Sequence, residues 1–180
     1  MKKVFVVHGL GSAPDHAWRG WLVDELKNKN IAVENPQMPG DDNPICKEWV
    51  DLLNKIIDPK DENYIIGHSL GARAVLRYLE AGGRARGVIL VSGRFGKPKS
   101  GTLGTFYNEP LDFSKIKNNS EKFVVFHGSN DPNIPFEDGK KISEELNCKF
   151  IVIENGGHLS GKAGFNKFPE VLDELLKMMK

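Results

Sequence analysis

The chain has 180 residues, 39 % of them apolar and 27 % charged, and its 25 Lys and Arg nearly balance 24 Asp and Glu to leave a formal net charge of +1. That length fits a single domain, residues 1–180, able to bury roughly 70 % of the surface of the extended chain without disulfide or metal staples. The even charge excludes a global basic or acidic field, so nucleic acid is not an expected partner, and no run approaches the ~18 apolar residues of a membrane span.

Met1-Lys2-Lys3 leads into only four apolar residues, Val4 to Val7, too short for a secretory signal, so the protein is expected in the cytoplasm. A first strand over 3–7 gives way to His8-Gly9-Leu10-Gly11-Ser12 and then to a helical stripe of Trp18, Trp21, Leu22 and Leu26. A strand over 31–34 precedes a second stripe: Ile45, Trp49, Leu52, Leu53 and Ile56. Strand 63–66 is followed by a helix over 71–80, on which Arg73 and Arg77 lie one turn apart and are expected at the surface. Strands at 87–91, 122–127 and 149–153 and helices at 136–146 and 169–179 complete the chain. This alternation calls for an α/β three-layer sandwich with a mostly parallel sheet of about six strands. Most of the strands are short apolar runs without strict alternation, as expected for strands covered on both sides.

Residues 93–120 form the one long irregular stretch, a candidate short lid or cap loop. Its Arg94, Lys97, Lys99, Lys115 and Lys117 outnumber Glu109 and Asp112. That excess could suit a carboxylate-bearing substrate or simply be solvated. Cys46 and Cys148 lack C-x-x-C spacing and read as free, buried or half-buried thiols. His8, His16, His68 and His127 lack the spacing of paired metal ligands, so they read as packing or loop residues and no metal is expected.

Gly67-His68-Ser69-Leu70-Gly71 places G-x-S-x-G between a strand and a helix, where the two glycines permit a sharp turn that projects the Ser69 hydroxyl over the sheet end. An activated serine needs a base and a group that orients the base, and in α/β-hydrolases the chain order is Ser, acid, His. Asp131 follows the strand ending near His127, and His158 follows the strand ending at Ile153. Three loops at the carboxyl ends of strands would then converge. Asp131 could also be a plain turn residue before Pro132, Glu154 is the other carboxylate in range, and His158 could be a surface residue on a glycine turn. An oxyanion would need two backbone donors, for which the N–H groups of Leu10 and Leu70 are the candidates. Gly9-Leu10-Gly11, with Glu34 ending the next strand, also outlines a dinucleotide fingerprint, but Pro14 occupies the place of its third glycine. No cofactor is therefore expected.

With these residues in view, nearly the whole chain resembles the small bacterial and eukaryotic serine hydrolases grouped with retinoblastoma-binding protein 9. The resemblance rests on His8-Gly9 and the Trp18/Trp21 helix, Gly67 to Gly71, Asp131-Pro132, and Gly156-Gly157-His158 followed by Gly164-Phe165. It implies an α/β-hydrolase lacking the first antiparallel strands of larger members, with a triad of Ser69, Asp131 and His158. Paired aspartates would be expected at the acid, whereas Asn130 stands beside Asp131. The function expected is hydrolysis of an ester-type or amide bond of a small-molecule substrate through an acyl-enzyme. A hydrolase-fold binding module with a protein partner is the reading from another class, because fold alone does not fix function.

Overall fold

The computed structural model describes residues 1–98 and 103–180. In chain order the elements are β1 (Lys2–Val7), α1 (Trp18–Asn28), β2 (Ala32–Glu34), α2 (Cys46–Ile56), β3 (Glu62–His68), α3 (Leu70–Glu80), β4 (Ala85–Val91), α4 (Gly104–Tyr107), α5 (Phe113–Asn118), β5 (Ser120–Gly128), α6 (Phe136–Leu146), β6 (Lys149–Ile153) and α7 (Pro169–Met178). The six strands form one sheet in the order β2-β1-β3-β4-β5-β6, and every pairing is parallel. Strand order reverses at β1, which lies between β2 and β3. In open parallel sheets the crevice at such a reversal is where ligands bind.

Two apolar layers cover the sheet. Trp18, Leu22 and Leu26 of α1 and Val171, Leu172 and Leu175 of α7 pack on one face with Val4, Val6 and Ile66. On the other face, Trp49 and Leu53 of α2, Val75 and Leu79 of α3, and Ile142 of α6 pack on Phe5, Ile65 and Leu90. Fully burying a side chain of this size contributes roughly 1.5–3 kcal/mol each, so the two layers dominate the driving force.

The helix ends follow local chemistry. Pro169 opens α7 at a position where its missing N–H costs nothing, and Asn147 closes α6 in the left-handed conformation. Ile45, expected on the α2 stripe, is instead the residue before the helix and is 44 % exposed, because its backbone is already extended there.

The segment 93–120 carries more order than a loop. It contains α4 and α5, with Asp112 capping α5 by accepting from the Lys115 N–H. Lys99 lies outside the described residues.

Arg73 and Arg77 are not surface residues. Arg73 is 3 % exposed and donates to the carbonyls of Phe106, Phe95 and Glu109 with its guanidinium 4.4 Å from the Tyr107 ring, while Arg77 donates to Phe106, Pro110 and Glu109 and pairs with Glu80. The physical reason lies in the carbonyls of Phe95, Phe106, Glu109 and Pro110, which stand outside the sheet or end a four-residue helix. They lack backbone partners of that kind and take side-chain donors instead. Burial brings the Arg73 guanidinium down to about 10, which leaves it charged at neutral pH.

Candidate active site

Ser69 sits between β3 and α3 with φ 57° and ψ −119°, a strained backbone that persists only where its surroundings enforce it. The surroundings do so by close approach. A Cβ on Gly71 would run into the Val7 and His8 carbonyls, and one on Gly67 would stand 2.7 Å from the Ala72 backbone. The Ser69 N–H donates to the Val91 carbonyl at 2.9 Å, which ties the turn to β4.

His158 and Asp131 reach the same place from the loops after β6 and β5. The His158 Nε2 lies 3.0 Å from Ser69 Oγ, and its Nδ1 lies 2.8 Å from Asp131 Oδ2. A carboxylate only accepts, so Nδ1 carries the proton and Nε2 is left to accept from the serine hydroxyl. The Asp131 side chain is fully buried, and its Oδ1 accepts from the N–H groups of Asn133 and Ile134. Burial alone would raise its carboxyl, but the His158 hydrogen bond and those two N–H groups hold it below the ordinary range. Glu154, the other carboxylate in range, is exposed.

The acid and histidine loops are stitched together. Asn130 Oδ1 accepts from the Gly157 N–H at 2.8 Å, and Ser129 Oγ accepts from the Asn155 N–H at 2.9 Å. An aspartate in place of Asn130 would accept as well, so the missing second aspartate leaves this contact intact.

A further chain of contacts runs beneath the serine. Arg19 Nη1 lies 3.3 Å from His68 Nδ1, and His68 Nε2 lies 3.0 Å from the His158 carbonyl. A guanidinium only donates, so His68 accepts at Nδ1 and donates its Nε2 proton to His158. Burial, with the nearby His158 and Arg19, pushes the His68 imidazole down to about 3, so it is neutral throughout the physiological range. Arg19 Nη2 donates to Ser12 Oγ at 2.5 Å and to the Ala13 carbonyl at 3.0 Å, bracing the loop after β1.

That loop passes directly over the serine: a Cβ on Gly9 would stand 2.9 Å from Ser69 Cβ. Leu10 and Leu70 both line a cavity of about 580 Å³ that also reaches Ser69, His158, Arg94, Tyr107 and Lys162. Glu34, the residue a dinucleotide ribose would require, is 2.5 Å from Lys3 in an ion pair.

A family model described as serine hydrolase matches residues 4–177. The chain belongs to the serine hydrolase family. It is 30 % identical to YdeN of Bacillus subtilis over 97 % of this chain and 94 % of that one, and 25 % identical to the rat serine hydrolase RBBP9 over 94 % and 91 %. The crystal structure of the B. subtilis ydeN product superposes with a TM-score of 0.89 at 26 % identity, covering 99 % of both chains.

Within this serine hydrolase, the three residues singled out from motif and chain order lie in hydrogen-bonding sequence. His8 and His127 are buried and take structural bonds: His8 Nε2 accepts from the Met38 N–H, and His127 Nε2 donates to the Ile134 carbonyl in the acid loop. Both imidazoles are held below their usual range, first by burial. Arg19 was missed by the sequence reading, because a charged residue next to Trp18 in an amphipathic helix looks solvent-facing and no local signal separates it from one. No helix among the described residues is long and apolar enough to cross a membrane.

Proposed function

We propose that the protein hydrolyses an ester-type or amide bond of a small substrate through an acyl-enzyme on Ser69. The observation that carries this reading is the unbroken hydrogen-bond sequence from Ser69 Oγ to His158 at 3.0 Å and from His158 to Asp131 at 2.8 Å. Ser69 Oγ attacks the carbonyl carbon while His158 Nε2 takes its proton, and Asp131 holds the imidazolium that forms. The oxyanion is stabilised by the N–H groups of Leu70, at the start of α3, and Leu10, in the loop that crosses Ser69. Collapse expels the leaving alcohol or amine with the proton from His158. Water, deprotonated by His158, then attacks the acyl carbon, releases the acid and returns the proton to Ser69.

Fluorophosphonate labelling tests the reading. The folded wild type is expected to take one label and Ser69→Ala none. An unlabelled, folded wild type would instead favour a binding module built on this fold.

A further inference from the structure

The cavity beside Ser69 has two unlike walls, and the difference bears on the substrate of the hydrolysis proposed above. One wall is mainly apolar, formed by Leu70, Leu103, Tyr107 and Ile134 with Arg94 and Asn133 at its side. The other is polar and basic, with Ser12, His16, Arg19, Ser160 and Lys162. The two segments of the basic wall adjoin: a Cβ on Gly161 would stand 3.3 Å from the His16 ring, and the Trp18 N–H donates to the Phe165 carbonyl at 3.0 Å. Among the described residues lining the cavity there is no Asp or Glu.

Arg19 is the unusual member of this wall. It is 1 % exposed, yet its hydrogen-bond partners are Ser12, Ala13 and His68, none of them a carboxylate, and its Nε has no partner. Asp15 acts on it only through space. A buried cation without a carboxylate carries a desolvation penalty of several kcal/mol, so an anion in contact is the natural complement. Lys162, exposed at the rim, adds a second positive charge facing the same space. Arg94, across the cavity, differs in having Asp138 at 3.9 Å.

We propose that the wall made by Arg19 and Lys162 receives a carboxylate on the substrate, so that carboxylate-bearing esters or amides are the preferred class. The Arg19 charge, uncompensated by any carboxylate, attracts an anion at the cavity wall through space, and a rim lysine draws the anion toward the cavity and can contact it directly.

Calorimetric titration of Ser69→Ala with monomethyl glutarate and with dimethyl glutarate tests this without turnover. The monoanion is expected to bind at least about tenfold more tightly, with the difference shrinking between about 0.05 and 0.5 M KCl. Equal or weaker binding of the monoanion overturns the proposal. Adding Lys162→Glu is expected to lower monoanion affinity about fivefold, and an unchanged affinity overturns the assignment of the carboxylate to this wall. Arg19→Met should have the larger effect; should it fail to fold, the Lys162 variant still decides. Inorganic phosphate that binds where monomethyl glutarate does not overturns the carboxylate assignment. Labelling of the wild type by fluorophosphonate without a monoanion preference defeats this proposal alone. A monoanion preference without labelling defeats the hydrolysis reading alone.

Discussion

The loops after β5 and β6 and the segment around α4 both border the cavity, yet they are held in different ways. The two loops are fixed by contacts between themselves: Asn130 to Gly157, Ser129 to Asn155, and Asp131 to His158, Asn133 and Ile134. Few residues are involved: the bonds of Asn130, Ser129 and His158 cross between the two loops, while those of Asp131 to Asn133 and Ile134 close the loop after β5 on itself. The segment over α4 takes its donors from elsewhere: the guanidinium groups of Arg73 and Arg77 reach the carbonyls of Phe95, Phe106, Glu109 and Pro110 from α3. The Ser69–His158–Asp131 contacts thus rest on bonds within and between two turns, with His68 added at the His158 carbonyl, while the α4 segment with Tyr107 takes its position from the helix that follows Ser69.

Breaking the first region should act on rate, and breaking the second on stability and fit. The largest effect is expected from Asp131→Asn, which keeps the shape but removes the carboxylate that sets the His158 tautomer. A fall in kcat of about 10⁴-fold is expected in steady-state ester hydrolysis, measured on protein shown to be folded. Next, Arg73→Met leaves buried carbonyls without their donor and should cost about 3 kcal/mol in denaturant unfolding. It should also raise KM for substrates that reach the Tyr107 wall, with kcat less affected.

Acid should destabilise the fold through its buried imidazoles. His68 is neutral when folded down to about pH 3, whereas unfolding frees it to bind a proton below about 6.5. The unfolded state therefore gains protons first, and stability falls by about 1.4 kcal/mol per pH unit from this group between those limits. His8 and His127, also held low, act with the same sign. Asp131 adds a loss at the acid end, since its lowered carboxyl stabilises the fold only while ionised. Unfolding midpoints measured across pH should slope accordingly, and His68→Gln should flatten the slope. The smallest effect is expected from Asn130→Ala. Loss of its bond to the Gly157 N–H should cost about 1 kcal/mol by thermal unfolding and lower kcat only modestly.

The same contrast explains what the sequence made legible. Strand and helix positions were readable within a few residues, because apolar runs and helical stripes are local signals; α6 and β6 match their expected ranges. That Ser69, Asp131 and His158 would be brought together was readable from turn glycines, a turn aspartate and their order, and their hydrogen-bond distances are those of side chains in contact. Arg73 and Arg77 were not, since their burial depends on carbonyls 22 to 36 residues away that no local pattern announces. Arg19 was hidden for a related reason: its partners Ser12 and Ala13 are near in sequence, but its neighbour His68 belongs to the elbow.

The arginines of α3 have a consequence for altering this protein. The helix acts as a jig: Ser69 is fixed at one end, and the carbonyls of Phe106 and Glu109 are held from its next two turns, so both are referenced to one rigid part. Leu103, which lines the cavity, can therefore be exchanged to reshape the pocket while Ser69, His158 and Asp131 keep their alignment. Changes to Arg73 or Arg77 would shift the α4 segment as a unit.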